Sequence, residues 1–421
     1  MEINGIPLLS YEQVLETIEG KENHLLLGNG FNYGLGIKTG YSQIFEKMIE
    51  NNHGIYKDIA DLVEKCNYDL ELFIGELEND IADNNVFLKK YVNNKVKMDF
   101  MQATHEIVKA ELKNIYAEKN EGVFLLLKNF TNFFTLNYDS FLYILLLNYK
   151  SDYELGDEAI AIQPTLKFIE DDLNLQHNSI YDEIKKIRNG SLTISPDTVN
   201  NPTNTPIDRV TKGTFVAIIN QYSKSNNKNW KTKEIEQVVK HILKEEKQNQ
   251  VLEAVDDGAQ YRLFRDEEEF VFDIESKTQN LFFLHGAFHI YQDGKSIKKI
   301  TQQSDKALYD RLESILNNEE QEIVCVFQSA NKLEAIQENE YLKKCYDKLG
   351  ELSGSIVVLG SALSDNDNHI FEQINKSSIE RVFISTTKFT ESAVENARNK
   401  FPDKELFFYD ATTISYEITN D

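Results

Sequence analysis

Residues 24–36 read His-Leu-Leu-Leu-Gly-Asn-Gly-Phe-Asn-Tyr-Gly-Leu-Gly, an apolar run that stops at a cluster of glycines. Leu25, Leu26 and Leu27 have the unbroken apolar character of a strand buried on both faces of a parallel sheet. Gly28, Gly30, Gly34 and Gly36 allow a tight turn and let a phosphate approach main-chain N–H groups. A turn of this kind also closes strands in α/β proteins that bind no dinucleotide. Three later stretches repeat the arrangement: Thr135-Leu136-Asn137-Tyr138-Asp139, Leu284-His285-Gly286 and Leu359-Gly360-Ser361-Ala362-Leu363.

Helical stretches alternate with these runs. Ser10 caps a helix expected over 8–20, with Glu12 and Glu16 in its early turns. Residues 41–120 are expected to be mainly helical. Ile44, Phe45, Met48 and Ile49, then Leu70, Phe73, Ile74, Leu77 and Ile81, recur there at three- and four-residue spacing. A strand over 132–136 precedes an apolar helix over 141–147. Further strands are expected over 281–284, 323–327, 356–359, 381–385 and 406–409. Helices over 304–317, 333–350, 367–377 and 390–400 separate most of them. This order predicts an α/β fold, a Rossmann-like doubly wound parallel sheet with large helical insertions. Residues 288–300 add a hairpin signalled by Gln292-Asp293-Gly294-Lys295.

The interval 150–275 differs in character. It holds Pro164, Pro196, Pro202 and Pro206, four of the six prolines, and an Asn/Thr/Pro-rich loop over 195–206. An amphipathic helix over 231–254 balances its lysines with glutamates, as a solvated face does. The expected division is a core of 1–149 plus 276–421, with the 41–120 block inside it, and a mainly helical insertion at 150–275.

A net charge of −24 argues against direct nucleic-acid binding, which normally relies on a basic face. No apolar run reaches the roughly 18 residues of a membrane span. The N-terminus shows no basic-then-apolar signal pattern. Cys66, Cys325 and Cys345 form no CxxC pair. Together these features lead us to expect a cytoplasmic protein.

Asn137 stands just past a strand end, where open α/β sheets bind ligands. Its carboxamide suits a ribose hydroxyl or a water; it also suits a helix cap. His285 follows the next strand and could orient or deprotonate a hydroxyl, or be a satisfied core histidine. His289, inside the hairpin, reads as structural. Ser361 and the turn amides around it could hold a phosphate. Asp365 or Asp367 suits an N-cap, and a carboxylate there could also accept from ribose hydroxyls. Asp367 with His369 lacks a third ligand in sequence for a metal. Walker, zincin, nucleophile-elbow and cysteine-rich zinc patterns are absent.

The four stretches, in this order, resemble the sirtuin family. Sirtuins carry a GAGxS turn, a TQNxD strand end, an HG catalytic histidine and a GTSL turn. Here the counterparts are Gly28-Asn29-Gly30-Phe31-Asn32, Thr135-Leu136-Asn137-Tyr138-Asp139, His285-Gly286 and Gly360-Ser361-Ala362-Leu363. The resemblance covers roughly 20–36, 125–148 and 278–410. Sirtuin deacetylases carry a four-cysteine zinc ribbon after the histidine, and 287–322 holds no cysteine. In this the chain looks more like bacterial sirtuin-like effectors of anti-phage defence, which hydrolyse NAD to ADP-ribose and nicotinamide.

That resemblance implies NAD as substrate and no metal. Asn137 and His285 would be catalytic. Gly28, Asn29, Gly30, Phe31, Asn32, Thr135, Asp139, Gly360, Ser361 and Asp367 would bind the dinucleotide. It also implies a homo-oligomer, with a defence-system partner such as an ATPase or nucleotide-sensing subunit. The alternatives are a protein deacylase or ADP-ribosyltransferase, a non-catalytic NAD or ADP-ribose sensor, and an assembly subunit.

Overall fold

The computed structural model describes residues 2–19, 22–52, 54–145, 179–192, 212–251, 256–259, 270–300, 305–327 and 331–416. The chain divides into two compact units. Among the described residues, 179–251 form one and the remainder the other. The proline-rich loop at 195–206 and the ends of the expected helices 141–147, 231–254 and 304–317 lie outside the described residues.

The larger unit is mixed α/β. Its strands are β1 (Glu2–Ile3), β2 (Ile6–Leu9), β3 (Asn23–Leu27), β4 (Asn132–Thr135), β5 (Phe270–Val271), β6 (Leu281–Phe283), β7 (Gly286–Asp293), β8 (Ser296–Lys299), β9 (Gln321–Cys325), β10 (Ser353–Leu359), β11 (Ser378–Thr386) and β12 (Glu405–Asp410). Among the described residues, an eight-stranded sheet has the order β1-β2-β12-β11-β10-β3-β4-β6. Every neighbouring pair in it is parallel except β1 with β2. From β3 the chain adds strands to one side through β4 and β6, then returns to the other side through β10, β11 and β12. The connectivity therefore reverses between β3 and β10. Every residue of β3 is buried, as a strand covered on both faces requires.

Two expectations need correction here. Residues 8–9 are strand, and the helix runs only over Tyr11–Ile18, where Ser10 and Gln13 form a capping box. Asn4 and Gly5, at φ +52° and +78°, join β1 to β2 as a type I′ turn does. The strand at 323–327 does not join the parallel sheet. As β9 it pairs antiparallel with β7 in a second, four-stranded sheet of order β5-β8-β7-β9. Gly294 and Lys295 alone link β7 to β8, and so short a link permits only antiparallel pairing.

The expected helix at 333–350 is two helices, Lys332–Glu338 and Glu340–Gly350. Asn339 breaks it, because its side chain caps the second helix at Tyr341 and Leu342 N–H. The block at 41–120 is helical, chiefly Tyr41–Asn51, Leu70–Asn79 and Val86–Asn114. Phe45 binds it together, 5.5 Å from Phe73 and 6.0 Å from Phe100 between ring centroids. The smaller unit packs helices Ser179–Arg188, Lys212–Ser225 and Thr232–Val251 around Ile184, Phe215, Ile219, Ile235 and Val239. β5, which falls within the expected insertion at 150–275, pairs with β8 and belongs to the sheet-bearing unit.

Candidate functional site

The carboxyl ends of β3, β4, β6 and β10 point the same way, and a cavity of about 440 Å³ opens beside them. Gly28, Asn29 and Gly30 line it after β3, and Asn137, Tyr138 and Asp139 after β4. His285 lines it after β6; Gly360, Ser361 and Asp367 do so after β10. Tyr41, Ile44, Phe100 and Thr104 of the helical block make a further wall with Phe288 and Phe327.

The two glycine turns are locked together through their backbones. Gly28 N–H donates to Leu359 O at 2.9 Å and Gly30 N–H to Gly360 O at 2.8 Å. Gly360 has φ +77°, and a Cβ there would sit 2.3 Å from Phe31 N. A Cβ on Gly30 would sit 2.6 Å from Gly360 Cα. The glycines are thus required by the meeting of two turns, and their amides are spent on each other. The amides of Ser361 and Ala362 donate no main-chain hydrogen bond among the described residues.

Behind Asn137 lies a buried amide network. Asn137 Nδ2 donates to Asn32 Oδ1 at 3.2 Å, and Asn32 Nδ2 donates to Thr39 Oγ1 and Asp139 Oδ2, each at 2.9 Å. Thr39 Oγ1 donates to Asn29 Oδ1 at 2.6 Å. Thr135 Oγ1 accepts from Asn137 N–H at 3.0 Å, and Asp139 Oδ1 accepts from Phe141 N–H at 2.9 Å. Burial pushes the Asp139 carboxyl up, against the pull of its bonds from Phe141 and Asn32. Every group is satisfied except Asn137 Oδ1, which has no protein partner among the described residues and belongs to a residue lining the cavity. A fixed amide with one oxygen to spare can accept from a hydroxyl or a water.

His285 occupies the corner where the chain passes from one sheet to the other. Gly286, at φ +76°, makes that corner, and a Cβ on it would lie 1.9 Å from Val324 O. His285 is buried, with Nδ1 3.3 Å from Leu136 O and Nε2 3.4 Å from His369 Nε2. Asp367 Oδ1 lies 3.7 Å from His285 Nε2 and accepts from Lys332 Nζ at 2.9 Å. Burial, reinforced by Lys332, lowers the His285 pKa to about 3. Burial likewise lowers His369 to about 4. Burial pushes Asp367 up, but His285, Lys332 and His369 outweigh it and leave the carboxyl below its ordinary value. At neutral pH the histidines are uncharged beside a carboxylate–ammonium pair.

Tyr138 covers this corner, its ring 6.2 Å from that of His285 and 6.0 Å from that of Phe327. Its hydroxyl accepts from that of Tyr41 at 3.0 Å. The aromatic wall offers a flat apolar surface to a planar ring.

The structure therefore gathers Gly28, Asn29, Gly30, Asn137, Asp139, His285, Gly360, Ser361 and Asp367 around one cavity. Phe31, Asn32 and Thr135 do not line it. Phe31 packs on Phe141, and Asn32 and Thr135 hold the amide network. Lys332, Tyr41, Phe100, Phe288 and Phe327 line it unforeseen. An exposed tyrosine at a helix start and a lysine after a loop carry no local signal of a ligand. Residues 206–415 match a family model described as a domain of unknown function (DUF4917). That stretch takes in His285, Gly360 and Asp367 but neither the first glycine turn nor Asn137. No curated protein matches the chain.

Proposed function

We propose that the chain is a sirtuin-like NAD hydrolase, releasing nicotinamide and ADP-ribose. The observation that carries the reading is the convergence of the four motif stretches on one cavity where the strand order reverses. Open α/β sheets bind ligands at such a point, and the order β6-β4-β3-β10-β11-β12 follows the 3-2-1-4-5-6 pattern of Rossmann-like dinucleotide folds.

In this reading the pyrophosphate meets the Ser361 and Ala362 amides, since those of Gly28 and Gly30 are committed elsewhere. Asn137 Oδ1 accepts from a ribose hydroxyl or the attacking water. His285 orients or deprotonates a hydroxyl at the same wall. Water adds to the ribose carbon as the bond to cationic nicotinamide breaks, and a proton is released. The transition state resembles an oxocarbenium ion, so holding the ribose in line matters more than acid help to the leaving group.

A second reading, a sensor that binds NAD or ADP-ribose without turnover, draws on His285 Nε2 facing His369 rather than an open space. Incubating purified protein with NAD and following nicotinamide release separates the two. Release that is lost in Asn137→Ala and His285→Ala supports the hydrolase. Binding without release supports the sensor. The resemblance further leads us to propose a homo-oligomer with low basal activity, acting in anti-phage defence with an activating partner. Solution mass and NAD turnover, measured together with and without candidate activators, test that part.

A further inference from the structure

The protons of the two histidines beside the cavity can be placed. His285 Nδ1 lies 3.3 Å from Leu136 O, and a carbonyl oxygen only accepts. The His285 proton is therefore on Nδ1, and Nε2 holds a lone pair. That lone pair faces His369 Nε2 at 3.4 Å. Two neutral rings joined through nitrogen need one proton between them, and His285 has none left to give. The proton must come from His369.

The surroundings hold that order in place. His369 is buried, its ring is stacked 6.3 Å from that of Tyr346, and its carbonyl accepts from the Tyr346 hydroxyl at 3.2 Å. The groups facing the pair are Asp367, Lys332 and the Tyr138 ring. Lys332 engages the Asp367 carboxylate at 2.9 Å, which limits its pull on a second proton. Burial keeps both rings neutral around pH 7.

We propose that His369 is a positioning residue that donates its Nε2–H to His285 and fixes that ring in one tautomer and one orientation at the cavity wall. His369 does not line the cavity, so it acts through His285. The catalytic consequence rests on the NAD-hydrolase reading; the order of protons does not.

Two measurements test this. Two-bond proton–nitrogen correlation spectra of ¹⁵N-histidine-labelled protein, assigned with His285→Gln and His369→Gln, read both tautomers without substrate. His285 as Nδ1–H with His369 as Nε2–H is the expected result. His285 as Nε2–H, or His369 as Nδ1–H, overturns the pairing. In kinetics, His369→Ala lowers kcat for NAD cleavage about tenfold or more with KM within about twofold, as a displaced reacting group does. His369→Gln, which keeps an N–H donor, recovers kcat to within about threefold. An unchanged kcat in His369→Ala overturns the positioning role. Absence of NAD cleavage in the unaltered protein overturns the hydrolase reading alone, because the spectra still decide the proton order.

Discussion

Asn32 and Asn137 share a hydrogen bond of 3.2 Å, and Asn32 is the member that is fully enclosed. One carboxamide serves Asn137, Thr39 and Asp139 at once. Asn32→Leu strands those groups, at about 1–3 kcal/mol for each one left unmet in the interior. Asn137→Ala removes a single bond at the edge of the network. We expect Asn32→Leu to lower the melting temperature far more than Asn137→Ala. Asn137→Ala should nonetheless cut nicotinamide release at least about a hundredfold, the scale of a positioned acid–base or orienting group. Calorimetry and the release assay on both variants check the pair.

Glycine substitutions should divide by what surrounds the new methyl group. Gly5 and Gly360 both have positive φ, yet a Cβ on Gly5 meets nothing within 4 Å while one on Gly360 sits 2.3 Å from Phe31 N. Gly5→Ala should cost only the backbone term, about 1–2 kcal/mol. Gly360→Ala should cost clearly more and, on the proposed NAD-hydrolase reading, abolish NAD binding, because two turns must part. Equal unfolding midpoints in urea for these variants would contradict the turn-to-turn contact.

Acid should destabilise the protein earlier than carboxylates alone require. Burial lowers His285 and His289 to about 3 and His369 to about 4; Lys332 adds to the first shift and Lys299 to the second. Below about pH 6.5 the unfolded chain protonates these histidines and the folded chain does not. The unfolded state then binds more protons, so stability falls as pH drops toward 4, by up to about 1.4 kcal/mol per pH unit for each ring. Neither ring nitrogen of His289 has a partner among the described residues. His289→Leu should therefore flatten the slope by about one proton. Urea unfolding between pH 7.5 and 4.5 measures the slopes, and an unchanged slope in this variant would refute the assignment.

The buried pair Lys299 and Asp257, 2.7 Å apart, gives an asymmetric expectation. Lys299→Met leaves a carboxylate without its cation in the interior, a loss of about 3–5 kcal/mol. Adding Asp257→Leu should recover most of it. A double variant no more stable than Lys299→Met alone would show that the pair is not what the single change disturbs.

The strand ends were legible because burial writes itself into local composition. Leu25–Leu27 and the runs before Asn137, His285 and Gly360 are apolar, and each stops where the chain leaves the sheet. What could not be read locally were relations between distant residues. The apolar run at 323–327 has the same pattern in either sheet, so only its pairing with β7 places it. The first hairpin was not expected: the Asn4-Gly5 dipeptide suits its turn, but β1 and β2 are too short for a periodic pattern to mark them. His369 was visible only as a candidate metal ligand beside Asp367. Its approach to His285 depends on a helix and a strand end far apart in the chain.

The placement of β3 between β4 and β10 also governs when the cavity can exist. On the ribosome, β3 emerges early and meets β4 after the helical block has followed it. Its other neighbour is made only after both antiparallel hairpin strands and β9. A nascent chain that has released Asn137 and His285 still lacks the Gly360 turn and the strands β10, β11 and β12. Such distant pairing is slow to form. The cavity is therefore one of the last features to be completed during synthesis, and the growing chain passes most of its length without a closed site.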